Sequence, residues 1–558
     1  MGYLSSSRYV RFLNISFVVI SCVLLIFSAN PADFPVQRNT VLNPNPENDC
    51  SVLKDLHDYK SKCLHLKSIG PCVDQGFIDY LSFLYCNFDG FPVLGQFLLF
   101  LWLLVLFYLL GDTASEYFCC SLESLSKLLD LSPTIAGVTL LSLGNGAPDV
   151  FASLVSFMGK SGGTYDVGLN TVVGGAFFVS CVVVGIISIL LHQEHVHIEK
   201  NAFLRDICFF LMVIASLVVI LVHGKINLLG AIGFCSLYAV YVVIVYLYWR
   251  FGREAFEFDP ESIHRNDVRE PILQKDRTVH IEERVFEEAC RTEGSSERKY
   301  CCRLLIRAIE LPLNLPRRLT IPVVSETKWS KPIAVASSTF APILLASLWN
   351  WACSGMGVDT SLAYGIGCFL GIVLGFLASA KTEKSNPPKR WLLLWLIGGF
   401  VMSMTWTYIS AQELVALLTS LGYVFGISPS ILGLTVLAWG NSLGDLITNV
   451  TMALHGGTEG AQVAISGCYA GPIFNTLFAL GISLVGSTWR IHPTSIVIPM
   501  EPELLESLGF LVAGLGWAMV MLTRNRMKLS GVMGIGLLVI YLASLSLRLV
   551  QTIAESSH

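Results

Sequence analysis

Charge is scarce in this chain of 558 residues: Asp, Glu, Lys and Arg make up 14%, against 53% hydrophobic residues and a mean hydropathy of +0.62. A composition this apolar does not keep ordinary globular domains in solution. The formal net charge of −4 says nothing about nucleic acid, but no basic stripe exists, and no nucleic-acid partner is expected. The apolar runs show no alternation at period two, and an open sheet in lipid would leave its backbone unsatisfied, so membrane strands are excluded as well. What is abundant is long apolar runs, each near the ~20 residues a helix needs to cross a bilayer.

The few charges are unevenly placed. Residues 251–331 hold 15 Lys or Arg and 15 Asp or Glu, and the runs on either side are nearly free of charge. The segment divides the chain into 1–29, a signal peptide or signal anchor; 30–90, a loop with cysteines; 91–250, five spans; 251–331, a charged loop; 332–387, two further spans; and 388–558, five more. Arg8 and Arg11 precede the apolar run 15–27, the order of a secretory signal. Met1, Gly2 and Ser6 also fit the myristoylation pattern, which translocation of this segment would leave unused.

The spans are expected near 91–110, 133–157, 166–191, 202–223 and 228–249; 332–351 and 361–380; and 390–410, 427–453, 460–485, 505–523 and 529–550. Basic residues favour cytosolic loops, and Lys381, Lys384, Lys389 and Arg390 form one such loop, Arg524, Arg526 and Lys528 another. Alternate crossings then place 251–331 in the cytosol and 30–90 outside it. Cys50, Cys63, Cys72 and Cys86 lie in that outer loop and suggest two disulfides, with all three pairings open. Free thiols or a metal site are the other reading, although the spacings match no zinc pattern. The remaining cysteines fall mostly in apolar runs and read as small hydrophobes.

Self-comparison is the most informative step. LSPTIAGVTLLSLGNGAPDVFAS (131–153) and ISPSILGLTVLAWGNSLGDLITN (427–449) align without a gap at an offset of 296, and the offset carries into the next helix, where Gly175 and Gly471, Phe178 and Phe474, and Gly185 and Gly481 coincide. Seven crossings separate equivalent points, so the two copies have opposite orientations. Inverted repeats place an ion site near the bilayer midplane at their interface.

Asp149 and Asp445 occupy equivalent positions inside apolar helices, where a carboxylate costs at least ~2.5 kcal/mol and needs compensation. Gly144, Gly146 and Pro148, like Gly440 and Gly444, loosen the helix around them. Asn145, Asn441 and Ser442 add side-chain oxygens, and a hard cation wants six or more oxygen ligands. A packing motif of small and polar residues is the plainer reading of either copy alone. Two copies in inverted register favour ion binding, since packing needs no duplicated carboxylates.

GNGAPDVFAS (144–153), GNSLGDLITNVTMA (440–453) and GCYAGPIFNTL (467–477) resemble the two alpha-repeats of the cation/calcium exchanger superfamily, most closely the plant cation/calcium exchangers, then the mitochondrial-type and potassium-dependent exchangers. The resemblance covers 91–250 and 390–550. It implies an all-α polytopic membrane protein with two inverted five-helix repeats, a ten-helix alternating-access core, here with two extra helices and an N-terminal signal or anchor helix. It implies that Asp149 and Asp445 bind the transported ion, with Asn145, Asn441, Ser442 and Asn475 as further ligands. The family's usual Glu is Asp at both positions, its Thr is Asn at 145 and 441, and the polar residue expected in the first repeat is Val179. Gly146, Gly175 and Gly471 stand where hydroxyl residues are common.

The expected function is therefore secondary active antiport of Ca2+, Na+ or K+ against a counter-cation, with no enzymatic activity and no resident cofactor. The partners are inorganic cations and the lipid bilayer, in a secretory-pathway membrane such as the plasma membrane or vacuole rather than the mitochondrion. A passive cation channel could use the same ligands. An intramembrane aspartyl protease also pairs two buried Asp residues, but Ser442 stands where its motif needs Gly, and no PAL sequence occurs. His192, His195 and His197 beside Glu194, and Asp166, His455 and Glu459 at helix mouths, read as solvated groups before they read as sites. Residues 300–319 read as an amphipathic helix.

Overall fold

Apart from a few scattered positions, the computed structural model describes residues 58–69, 76–118, 142–158, 165–192, 196–256, 312–323, 329–352, 360–382, 392–427, 429–455, 457–498 and 502–556. The N-terminal signal or anchor, Cys50, Cys72, Glu194, His195 and most of the charged loop lie outside the described residues.

The chain is helical almost throughout. Two short helices, α1 (Tyr59–Ile69) and α2 (Tyr80–Asn87), precede α3 (Pro92–Thr113). Then come α4 (Ser142–Met158), α5 (Tyr165–Phe177), α6 (Val184–Leu190), α7 (Lys200–His223) and α8 (Leu228–Phe256). After the charged segment follow α9 (Lys331–Ala352), α10 (Thr360–Lys381), α11 (Leu392–Phe425), α12 (Pro429–Leu432), α13 (Ala438–His455), α14 (Gly457–Phe474), α15 (Leu480–Ile491), α16 (Pro502–Arg524) and α17 (Gly531–Ser556). Wider π turns join α5 to α6 at Phe178–Val183, α12 to α13 at Gly433–Leu437, and α14 to α15 at Asn475–Ala479.

Ten helical stretches among the described residues are long and apolar enough to cross a membrane. The sequence expectation counts twelve spans in the same region. The other two expected spans, 133–157 and 427–453, are the ones that carry the Gly, Asn, Ser and Asp residues of the repeated motif, and the first of them is described from Ser142 onward. The span expected near 390–410 instead runs 34 residues to Phe425, because nothing breaks it before Gly426, whose φ of +69° ends it in the left-handed conformation that glycine adopts without strain.

The described residues form two compact units. The first, built largely from residues 250–403, contains α9 and α10 packed along their lengths. Gly367, Gly371 and Gly375 recur every fourth residue on α10 and face Ala346 and Thr339 of α9, so the two backbones approach closely where any Cβ would intrude. Within the expected amphipathic segment 300–319, the described part is helical over 312–320, and Arg317 is buried there with its guanidinium donating to the Leu313 carbonyl and to Asn314 Oδ1.

The second unit holds α1, α2, α4 to α8, α12 to α17 and parts of α3 and α11. Its core is apolar, with Val183, Ile187, Phe210, Ile473, Leu477 and Leu537 fully enclosed. Cys63 and Cys86 form a disulfide between α1 and α2, so one bridge of the outer loop is defined. Asp79 caps α2 through Ser82, and burial beside Tyr59 pushes the Tyr85 phenol up to about 12, leaving it neutral under the Lys62 ammonium 5.0 Å from its ring.

The connections reveal the orientation of the two halves. Lys225–Ile226 (β1), between α7 and α8, pairs antiparallel with Ile496–Val497 (β2), between α15 and α16. His197, between α6 and α7, bridges to Lys528, between α16 and α17, with Ile198 N–H donating to the Met527 carbonyl at 2.8 Å. In each case the connection before the fourth span of one half meets the connection after the fourth span of the other. Repeats threaded in the same direction would put those connections on opposite membrane faces, so the two halves are inverted.

Replacing His197 and Lys528 together by Cys is expected to give an intramolecular cross-link under mild oxidation that neither single variant gives. A cross-link absent from the double variant would contradict the inverted pairing.

Candidate cation site

The motif helices α4 and α13 come together where their regular hydrogen bonding is weakest. Pro148 lies inside α4 and Pro472 inside α14, and each lacks the N–H that would bond one turn back. The π turns that follow α5 and α14 occur at matching positions of the two halves, and a π turn widens a helix enough to re-aim a side chain. Asn475 is the first residue of the second of these turns and is buried. The turn points its amide at α4.

Asp149 is 3% exposed, and both of its carboxylate oxygens take an amide donor from the other half of the protein. Asn441 Nδ2 donates to Oδ1 at 3.0 Å, and Asn475 Nδ2 donates to Oδ2 at 2.7 Å. Only the nitrogen end of an amide can donate to a carboxylate, so these bonds fix which way both amides face. Their oxygens turn elsewhere. Asn441 Oδ1, Asn475 Oδ1 and Ser442 Oγ are all buried and meet no hydrogen-bond partner among the described residues. A buried, unsatisfied acceptor costs about 1–3 kcal/mol, so three of them beside one carboxylate stand out from an interior in which buried polar groups are ordinarily paired.

Glycines make the approach possible. A Cβ on Gly146 would run into Asn475 Oδ1 and come within 3.1 Å of the Phe474 ring, so only glycine lets Asn475 reach Asp149. The missing side chain of Gly175 leaves a point 3.3 Å from Ser442 Oγ and 3.6 and 3.8 Å from the two Asp149 oxygens.

Asp445 is more accessible than Asp149 and lies within electrostatic range of it. Its carbonyl accepts from Asn449 Nδ2 at 2.9 Å. The π turn at Phe178–Val183 packs on α13 as the turn at Asn475–Ala479 packs on α4, but it presents Val179 where its counterpart presents Asn475. The arrangement is therefore two-fold in backbone and one-sided in chemistry.

Three other carboxylates on the long helices have conventional partners. Asp206 pairs with Arg205 at 2.8 Å and accepts from Tyr241 OH, Glu503 lies 3.7 Å from Arg548, and Glu413 accepts from Tyr80 OH at 2.5 Å. Among the described residues, no Lys or Arg pairs with Asp149 or Asp445.

Of the residues expected from the sequence, Asp149, Asn441, Ser442 and Asn475 are brought together, and Asp445 stands beside them. Asn145 lies one turn before Asp149 on α4, with its side chain outside the described residues. His192 and His197 sit in the loop after α6 with Asp166 one residue into α5, and Glu459 lies in the first turn of α14. Sequence reasoning passed over Asn449, and over Ser153, whose Oγ donates to Ser483 Oγ at 3.1 Å. The offset of 296 pairs 153 with 449, and that was the available signal.

The model of a family described as sodium/calcium exchanger protein matches residues 99–247 and 395–550, which carry both motif helices and the helices around them. This chain belongs to that family. The exchanger is 68% identical to cation/calcium exchanger 2 of Arabidopsis thaliana over 100% of both chains, and 47% identical to cation/calcium exchanger 1 of the same plant over 98% of this chain and 97% of that one. It is 30% identical to the mitochondrial sodium/calcium exchanger protein of Homo sapiens over 90% of this chain and 89% of that one. It is an integral multi-pass membrane protein and a secondary active cation exchanger, not an enzyme.

In the exchanger, Gly146→Ala is expected to displace Asn475 at an overpacking cost of about 1–3 kcal/mol, lowering the rate of exchange about tenfold or more while the protein still reaches the membrane. Flux equal to wild type would contradict the close approach of α4 to Asn475.

Proposed function

We propose that this protein exchanges Ca2+ for monovalent cations, with Asp149, Asn441, Ser442 and Asn475 holding the transported ion, Asp445 sharing its charge, and Asn145 completing the ligand set. The observation that carries the reading is the group of three buried oxygens without donors around one buried carboxylate. Hard cations take oxygen ligands, and a flexible set of carboxylate, amide and hydroxyl oxygens suits Ca2+ better than the strict octahedron of Mg2+. Two carboxylates balance one divalent ion, or two monovalent ions or protons on the return step. The amide hydrogens that Asn441 and Asn475 donate to Asp149 are the substitute for a cation, and rotating each amide would turn its oxygen toward an arriving ion.

The names of the Arabidopsis and human relatives, with calcium in each and sodium in the human one, agree with this ion class. Val179, in place of a second amide, leaves the Asp445 side with fewer ligands, which suits a monovalent counter-ion. The disulfide between Cys63 and Cys86 supports placing the α1–α2 hairpin in an oxidising compartment outside the cytosol, and so a membrane of the secretory route.

The test is Ca2+ uptake into vesicles with Na+, K+ and proton gradients imposed one at a time. Asp149→Asn and Asp445→Asn are each expected to reduce uptake to background with the protein still folded in the membrane, and near-normal uptake in either variant would defeat the assignment. Uptake that proceeds without any counter-gradient would indicate a channel. Val179→Asn is expected to tighten divalent binding, and an unchanged ion preference would contradict the missing-ligand argument.

A further inference from the structure

Glu413 is a buried carboxylate that ion binding does not use. It lies 21 residues into α11, about 32 Å along the helix and so near the edge of a hydrocarbon core of ~30 Å. Around it, residues 411–421 are buried on every face. Its neutralising groups come from another part of the chain: the Phe77 and Ile78 amides and the Tyr80 hydroxyl all donate to it, the last at 2.5 Å. Gly76, with φ of +94°, lies flat on α11, since a Cβ there would sit 2.8 Å from Ala416 Cβ and 3.3 Å from Glu413 Oε1.

The donors belong to the start of the disulfide-stapled hairpin. Tyr80 opens α2 and is 2% exposed, and Cys86 at the far end of α2 is bonded to Cys63 of α1. Five residues after α2 the chain enters α3, and the first turn of α3 packs back on the hairpin, with Leu84 and Phe88 filling the space over Gly95. One end of the hairpin is therefore rooted in α3 and the other is held by α11. These are the helices that precede the motif helix in each half.

We propose that Glu413 is a positioning residue for exchange: it anchors a strap, residues 76–89 stapled by Cys63–Cys86, that ties α3 to α11 at one membrane face and keeps these two helices in register during transport. Alternating access needs one group of helices to move against the rest as a body, and a tie between two equivalent helices at one face makes them move together. A buried carboxylate satisfied by several donors suits the anchor, because pulling it free strands the charge. Opening the disulfide removes the staple. Reduction by a phosphine breaks the S–S bond, oxidises the phosphine to its oxide with oxygen from water, and leaves two thiols carrying the protons of that water.

The test uses the full chain in proteoliposomes, with tris(carboxyethyl)phosphine added on the face that carries the hairpin. Two things are read: Ca2+ uptake, and hydrogen exchange at the Phe77 and Ile78 amides, which does not depend on transport. In wild type, reduction is expected to speed exchange at those amides and to lower turnover about threefold or more with half-saturating Ca2+ unchanged, the split expected when positioning rather than ion affinity is lost. Reoxidation is expected to restore both. Cys63→Ser with Cys86→Ser, Glu413→Gln and Tyr80→Phe are expected to match the reduced protein and to be insensitive to the phosphine. Full turnover with both thiols demonstrably free, a shift in Ca2+ affinity instead of turnover, or phosphine sensitivity that survives the double Ser variant would each overturn the strap. Faster amide exchange in a protein that shows no uptake even when oxidised would leave the anchor standing and contradict the exchange reading.

Discussion

A carboxylate inside a bilayer is unstable unless something positive or hydrogen-bonding meets it, and the structure divides its acids by how that demand is met. Asp206 has an arginine beside it, and Glu413 has main-chain amides and a tyrosine. Among the described residues Asp149 meets two amide groups, each of which leaves a buried oxygen unsatisfied behind it. That incompleteness is useful in a transporter. In the proposed site a permanent Arg would neutralise the acid and exclude the ion, whereas an amide can donate to the acid when the ion is away and turn its oxygen to the ion when it arrives.

The fold supplies the acid's surroundings from both halves of the chain. Asp149 comes from the first half and its two donors from the second, so the site exists only when the halves are docked. The inverted threading is fixed far from the site, by two short strand pairings between connections of opposite rank. Between them, π turns and prolines prevent the motif helices from satisfying themselves, which leaves polar groups free to face one another. Under the proposed assignment, a movement that separates α4 from α13 and α14 changes the ligands of the ion, and this would link packing to transport.

Much of this was legible in the residues. Duplicated Asp149 and Asp445 at a constant offset revealed the repeat, and an odd number of crossings revealed its inversion, because apolar runs and their count are one-dimensional properties. The placing of Asn441 and Ser442 near Asp149 was also within reach. Less visible was the asymmetry of the pair: Asn475 reaches Asp149 because Gly146 leaves room for it, and that is a contact between positions more than 300 residues apart. The full length of α11 is not legible because residues 411–422 continue the apolar run and are enclosed by protein, so hydropathy has no edge to mark. Glu413 carried no pattern in sequence at all. Its partners come from a polar loop some 330 residues away.

The claim that Asp149 and its neighbouring oxygens wait for a cation can be tested by crystals grown in Ca2+ and an anomalous difference map. A calcium peak about 2.3–2.6 Å from an Asp149 oxygen, with Asn441, Ser442 or Asn475 turned toward it, is the expected result. A fully occupied calcium site elsewhere in the membrane core, with both amides still donating to Asp149, would contradict it.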